Sequence, residues 1–264
     1  MFKKLIPGYL SVGLLILLMS SCGDYSKILK SSDYDLKYEK ALEYFAQEDY
    51  TKASTLLEEL LTIVRGTERA EQVAYHHAYC AYYQQDYIMA GYYFGNFVKS
   101  FPTSPLTEEC AFMVAKCYYE DSPGSSLDQA NTHLAIEEFQ RFMNRYPASE
   151  RVDECNRLID ELQDKLVKKS FESASLYYKL GEYKAAITAL QNSLKEYPGT
   201  RYREELLYLI VKSSYELARN SVLEKIKERF TATIEACQVF KEAFPESSYV
   251  KEVERIQQNA QKFL

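Results

Sequence analysis

Cys22 is the cysteine in this sequence whose neighbours prescribe a covalent reaction. Lys3 and Lys4 form a charged start, Leu10–Met19 is mostly apolar, and Ser20-Ser21-Cys22 closes the stretch. The apolar run is shorter than the roughly 20 residues a spanning helix needs, so it reads as a secretory leader. Small residues ahead of a cysteine make the site lipobox-like, with Met19 where Leu usually stands and Leu18 before it. The sequence therefore predicts a signal peptide over 1–21 and acylation of Cys22. Each buried acyl CH₂ contributes about 0.8 kcal/mol, so several chains on one thiol hold the mature protein to a membrane.

No other constellation of reactive side chains has catalytic spacing. Cys110 and Cys117 are seven residues apart on one expected helix, about 10 Å, which is too far to bridge. The cysteines after Cys22 include no CxxC pair, and they read as buried free thiols. His76, His77 and His133 have no ligand-like neighbours, so neither a metal nor a cofactor is expected. Glu58-Glu59 and Glu204-Glu205 are adjacent on exposed helix positions and point apart. There is no phosphate loop, no HExxH and no nucleophile motif, so the chain is not expected to be an enzyme. The net charge of −6, without a Lys/Arg run, argues against nucleic acid as a partner. What remains is a surface rich in tyrosine, 24 residues with no Trp.

The elements that must position those tyrosines are legible as an internal repeat. Aromatic-Pro recurs at Phe101-Pro102, Tyr146-Pro147, Tyr197-Pro198 and Phe244-Pro245, each followed two residues after Pro by Ser104, Ser149, Thr200 or Ser247. Pro cannot continue the preceding helix. The hydroxyl is expected to cap the next one, with Pro105 at its first position. A small residue followed four later by an aromatic marks Ala41/Phe45, Ala78/Tyr82, Ala115/Tyr119, Ala174/Tyr178 and Val211/Tyr215. Successive markers are 37, 37, 59 and 37 residues apart. Tyr and Ala follow at fixed offsets in three repeats: Tyr50/Ala53, Tyr87/Ala90 and Tyr183/Ala186. Such periods mean a helical solenoid.

The fold class is therefore all-α: five tetratricopeptide-like helix pairs in two lobes. Repeat one lacks Pro, so Gly66 must end its second helix. Repeat three carries a polar eight-residue insertion near Asp121–Asp128, and repeat five a ten-residue insertion near Arg219–Glu228 with an irregular second helix. The 59-residue gap holds fourteen extra residues without Gly or Pro, close to four helical turns. It predicts one long helix over Ser149–Leu180 joining the lobes. The boundaries follow: a lipidated linker over 22–37, repeats one to three over 38–148, the long helix over 149–180, the rest of repeats four and five over 181–247, and a capping helix over 248–264.

In a helix-pair solenoid the first helix of each repeat lines the concave side. Helical counting places Tyr38, Leu42 and Phe45 there from repeat one, Tyr75, Tyr79 and Tyr82 from repeat two, and Phe112, Lys116 and Tyr119 from repeat three. This face suits an extended peptide with aromatic side chains, although individual rings also suit packing between helices.

The stretch Leu162–Ala186, LQDKLVKKSFESASLYYKLGEYKAA, with EYPGT at Glu196–Thr200, resembles the BamD family, the lipoprotein subunits of the outer-membrane β-barrel assembly machinery. The resemblance covers about Tyr38–Tyr215. It implies a scaffold anchored by lipid on the periplasmic face of the outer membrane. Its partners would be the barrel-forming subunit, through that subunit's periplasmic domains, and unfolded outer-membrane proteins. Arg201 and Arg203 would lie in the docking region, and the aromatic face in the receiving region. Gly23-Asp24-Tyr25 carries no acidic run, which favours retention on the inner leaflet. Two other readings fit a repeat lipoprotein: one coordinating cell-wall or envelope proteins, and one binding surface glycans by stacking sugars on tyrosine.

Overall fold

The computed structural model describes residues 24–264, so Cys22 and the expected signal peptide lie outside the described residues. Residues 24–30 form α1. It is followed by α2 (Tyr34–Ala46), α3 (Tyr50–Ile63), α4 (Ala70–Tyr83), α5 (Tyr87–Ser100), α6 (Thr107–Glu120) and α7 (Ala130–Arg145). The chain continues with α8 (Val152–Lys179), α9 (Tyr183–Glu196), α10 (Arg203–Arg219), α11 (Leu223–Ala243) and α12 (Val250–Gln261). The described residues contain no strand. After α1 they are organised as five helix pairs with a final single helix.

Small residues set the crossing within each pair. Ala41, Ala78, Ala115 and Val211 are fully buried, as are Ala53, Ala90 and Ala186 on the partner helices. The rest of each second helix follows in register. Leu57 and Leu60 occupy in repeat one the positions that Phe94 and Phe97 occupy in repeat two, and all four are buried. In repeat three the same register, advanced by eight, falls on Ala135, Phe139 and Phe142; in repeat five, advanced by ten, it falls on Thr233, Cys237 and Phe240. Both insertions are thus absorbed without disturbing the packed stripe.

The two insertions are absorbed differently. In repeat three the extra residues form the loop between α6 and α7. That loop lies on α8, with Lys169 Nζ donating to the Leu127 carbonyl and Ser125 Oγ donating to Glu172 at 3.1 Å. In repeat five they lengthen the two helices themselves. The expected irregular helix is a continuous α11 of 21 residues, because no Gly or Pro interrupts it.

Turns between repeats share one geometry. The Ser104 hydroxyl accepts from the Leu106 N–H at 3.2 Å, Ser149 from Arg151 at 3.2 Å, Thr200 from Tyr202 at 3.1 Å and Ser247 from Tyr249 at 3.0 Å. These are tight hydroxyl turns ahead of the helix, not the helix caps that were expected. The next helix starts three residues after each hydroxyl, at Thr107, Val152, Arg203 and Val250. Repeat one uses the same turn without Pro: Thr67 accepts from the Arg69 N–H at 3.3 Å, with Gly66 at φ 80 just before it.

The chain divides into two compact lobes. One comprises residues 24–122 and Ala130–Ile159, the other Pro123–Gln129 and Asp160–Leu264. Helix α8 contributes Cys155, Leu158 and Ile159 to the first core and Leu162, Leu166 and Ala174 to the second. The stretch expected as a linker over 22–37 is helical through most of its described part. Lys37 is buried, and its ammonium donates to the Leu29 carbonyl at 3.0 Å and to Glu59 at 2.6 and 2.7 Å. This ties α1 to α2 and α3. Cys80, Cys110, Cys117, Cys155 and Cys237 are buried free thiols. Burial pushes the first three up to about 12, which keeps them un-ionised and unreactive.

Within the pairs, the turn residue after the first helix takes a left-handed conformation: Glu48 at φ 62, Gln85 at φ 63 and Gly181 at φ 78. Amide donation back across the turn ends the helix each time, as in Asp49 N–H to the Tyr44 carbonyl at 2.9 Å. Only glycine adopts this conformation without a Cβ penalty. Glu48→Gly and Gln85→Gly are each expected to stabilise the first lobe by about 1 kcal/mol, raising Tm by about 2–4 °C. A thermal melt checks this, and a lower Tm would show that the exposed side chains outweigh the backbone strain.

Candidate functional site

The expected aromatic face lies wholly within the first lobe, on α2, α4 and α6. Adjacent first helices touch through it. The Phe45 ring of α2 meets His76 of α4 edge-on at 4.8 Å. Tyr79 of α4 donates its hydroxyl proton to the Glu109 carboxylate of α6. The helical period that aligns Tyr75, Tyr79 and Tyr82 on α4 is what makes the row. Its rings lie 4.8 Å apart at Tyr75–Tyr79 and 6.4 Å apart at Tyr79–Tyr82.

The nine expected side chains separate into two groups. Tyr38, Leu42, Phe45, Tyr75, Tyr82, Lys116 and Tyr119 are half-buried, with part of each open to solvent. Tyr79 and Phe112 are buried at 8% and 2% exposure, and this corrects their assignment to an open groove. Tyr79 is enclosed because Phe94 of the paired helix packs edge-on against it at 4.9 Å and Glu109 takes its hydroxyl. Phe112 is covered by Phe142 at 5.7 Å and by the Arg151 guanidinium at 4.6 Å.

The open part combines rings with fixed charges. Lys116 lies 2.7 Å from Glu120 and 4.5 Å from the Tyr119 ring centroid. Arg69 pairs with Asp35 and lies over Tyr38 at 5.0 Å. Burial, then the Glu109 charge, pushes the Tyr75 hydroxyl up to about 12. Burial, then Glu120, raises Tyr82 as well. These phenols are therefore neutral across physiological pH, offering a hydrogen bond at the rim and an apolar ring below it. Burial lowers the His76 pKa, which keeps that ring neutral beside Phe45. The arrangement can hold aromatic and aliphatic side chains by stacking. It holds no nucleophile–base pair, and among the described residues no cluster of His, Cys, Asp and Glu could hold a metal.

Tyr83, His76 and Glu109 belong to this cluster although spacing did not single them out. Tyr83 is four residues from Tyr79, and that offset was the available signal; it stacks on Tyr50 at 4.7 Å. Glu109 had no signal, since its partner lies 30 residues away.

Arg201 and Arg203 lie in the second lobe, at the turn between α9 and α10, and both are exposed. Arg201 is 3.3 Å from Asp164 and lies over the Tyr202 ring at 5.1 Å. Arg203 donates to the Pro198 carbonyl at 3.4 Å. Tyr202 itself stacks on Phe171 at 4.4 Å, which fixes the turn against α8.

The profile of the YfiO family, described as outer membrane lipoprotein, matches residues 31–229 and 177–264. The outer membrane protein assembly factor BamD of Caulobacter vibrioides is 25% identical over 162 residues, 56% of this chain and 53% of that protein. A putative BamD of Aquifex aeolicus is 27% identical over 201 residues, 75% of this chain and 65% of its own length. BamD of Rickettsia prowazekii is 22% identical over 222 residues, 84% and 88% of the two chains. The match thus spans about half the length of the first of these relatives and about two thirds of the second. Among solved structures, a TPR-repeat protein from Bacteroides fragilis aligns over 89% of this chain and 100% of its own, at 14% identity and a TM-score of 0.41. The TPR domain of P58(IPK) aligns over 90% and 67%, at 15% identity and a TM-score of 0.43.

Burial separates packing tyrosines from available ones, and stability measurements test that separation. Tyr79→Ala is expected to cost about 3 kcal/mol, the scale of a lost core aromatic. Tyr82→Ala is expected to cost about 1 kcal/mol. Denaturant midpoints followed by helical circular dichroism measure both. Equal costs would place Tyr82 in the core as well.

Proposed function

The chain belongs to the YfiO family of outer membrane lipoproteins, and from that premise we propose that it is an outer-membrane protein assembly factor. In this reading acylated Cys22 holds it on the periplasmic face of the outer membrane. The first lobe receives unfolded outer-membrane proteins. The second lobe docks on periplasmic domains of the barrel-forming subunit, near the turn that carries Arg201 and Arg203. The names of the curated relatives support the assembly role. The observation that carries the receiving role is the row of half-open rings on consecutive first helices, with Phe45, Tyr75, Tyr82 and Tyr119 partly open. Aromatic side chains supply large contact area at low entropic cost, which suits a chain that is extended and unfolded when bound. No catalytic step is needed: the work is capture and positioning.

Tyr75→Ala with Tyr82→Ala is expected to weaken binding of a peptide from the C-terminal strand of an outer-membrane barrel by about tenfold. Fluorescence polarisation measures this, with the helical signal retained. Undiminished binding by a folded double variant would remove the receiving role from this face.

Co-purification of the full chain in mild detergent tests the partner. A large barrel protein with periplasmic domains is the expected companion, and Arg201→Glu with Arg203→Glu is expected to reduce its recovery. Recovery of cell-wall enzymes instead would favour the envelope-coordination reading. Protease sensitivity in intact cells would favour the surface glycan reading.

A further inference from the structure

The outer side of the first lobe carries a groove that the aromatic face does not use. Helix α5 leaves Ile88 and Tyr92 at 73% and 60% exposure. Beside them, between α5 and α7, runs a groove of about 570 Å³ with Ala111, Val114 and Tyr118 of α6 in its lining. Two glycines of α5 face it and differ in purpose. A Cβ at Gly91 would meet Cys117 Cβ at 3.4 Å, at the edge of ordinary van der Waals contact, so that position faces the packing of α5 on α6. A Cβ at Gly95 would meet nothing within 4 Å. A glycine inside a helix costs about 1 kcal/mol relative to alanine. At Gly95 no internal contact offsets that cost, whereas an incoming backbone would.

The charge around the groove runs opposite to that of the chain. Lys99, Arg141 and Arg145 line it against one carboxylate, Glu138, which is engaged by Arg141. The whole chain carries −6. An apolar floor with a cationic rim is complementary to a helix whose apolar strip is flanked by acidic side chains. A bilayer surface would meet the projecting Ile88 and Tyr92, but it fits less well because Ala111 and Val114 are recessed between two helices, where a planar surface does not reach. Nucleic acid fits less well, because the chain carries a net charge of −6 and the rim includes Glu138.

We propose that this groove docks a partner protein through an amphipathic helix with acidic flanks. The helix lies along α5, its apolar side chains seated on Ala111 and Val114, its backbone passing Gly95, and its carboxylates paired with Lys99 and Arg145. The proposal is independent of the role given to the tyrosine face.

The test uses the full chain in mild detergent and a fluorescent helical peptide of about five turns. The peptide carries Leu at i, i+3, i+4 and i+7, with Glu on its flanks. A second peptide has Lys in place of Glu. The acidic peptide is expected to bind at least about tenfold more tightly, and less so as salt is raised. Gly95→Leu fills the groove with a better helix former. It is expected to weaken binding about tenfold without lowering Tm. Lys99→Glu with Arg145→Glu, both exposed, is expected to reverse the preference between peptides, and carries the test if the Leu variant folds poorly. Equal binding of both peptides, or binding untouched by both sets of variants, would overturn the proposal. So would phosphatidylglycerol vesicles that bind where the peptide does not and lose that binding on Gly95→Leu, making the groove a lipid contact.

Discussion

The structure depends on how closely two helices can cross. At most crossings the buried side chains are close to the smallest that still bury apolar surface: Ala41 and Ala53 in repeat one, Ala78 and Ala90 in repeat two, Ala174 and Ala186 in repeat four. Close approach lets the larger residues one turn further along, Leu57, Phe94 or Leu190, reach across the pair and be fully enclosed. A larger residue at the crossing would overpack it and push the helices apart. Within each lobe a pair also forms the surface on which the next one stacks, so an error at one crossing propagates to its neighbour. The turns add a second constraint. Five Ser or Thr hydroxyls each accept from the N–H two residues on, which fixes where the next helix starts.

This explains which parts of the fold could be read in advance. Crossing positions admit few residue types, so Ala41, Ala78, Ala115, Ala174 and Val211 were visible as a period. The insertion lengths were visible too, because the buried stripe resumes in register at Ala135 and at Thr233. The way each insertion folds was not visible. Whether extra residues loop out, as near Gly124, or extend two helices, as around Leu223, depends on what they lie against. The loop has α8 to rest on through Lys169 and Glu172. At the first turn Gly66 was legible as the stop, but the hydroxyl of Thr67 was not, because the Pro that marked the other four is missing.

The candidate site was legible as a face but not as individual contacts. Helical spacing puts Tyr75, Tyr79 and Tyr82 in one row and cannot tell which ring another helix will cover. That depends on Phe94 and Glu109, which come from the next two helices. Lys37 is the same problem with a charge. It sits one turn before Ala41, in the stripe that packs inward, and a lysine there demands a carboxylate that sequence does not place. Glu59 is 22 residues away. Leaving such an ammonium unpaired would be costly, so the ion pair and the Leu29 carbonyl explain why α1 is seated on the first repeat.

Helix α6 shows how one element serves two surfaces of opposite character. Its positions 112, 116 and 119 belong to the tyrosine side, while 111, 114 and 118 line the outer groove. Ala115 and Cys117 are buried between those arcs. On the tyrosine side the fixed charges beside the rings include Glu109 and Glu120; on the groove side they are mostly cations. On the tyrosine side carboxylates are balanced by Lys116 and Arg69, whereas the groove side has an excess of cations, and a ligand on one side would not use the other's contacts. The wall between them is a single helix, about 10 Å across with its side chains. A well-packed interior has low compressibility and transmits strain, and its elements shift between discrete arrangements. At Gly91 the space between α5 and α6 is about one Cβ wide, since a Cβ added there would meet Cys117 Cβ at 3.4 Å. A single packed helix therefore separates the two surfaces, and α6 is the element that both would have to share.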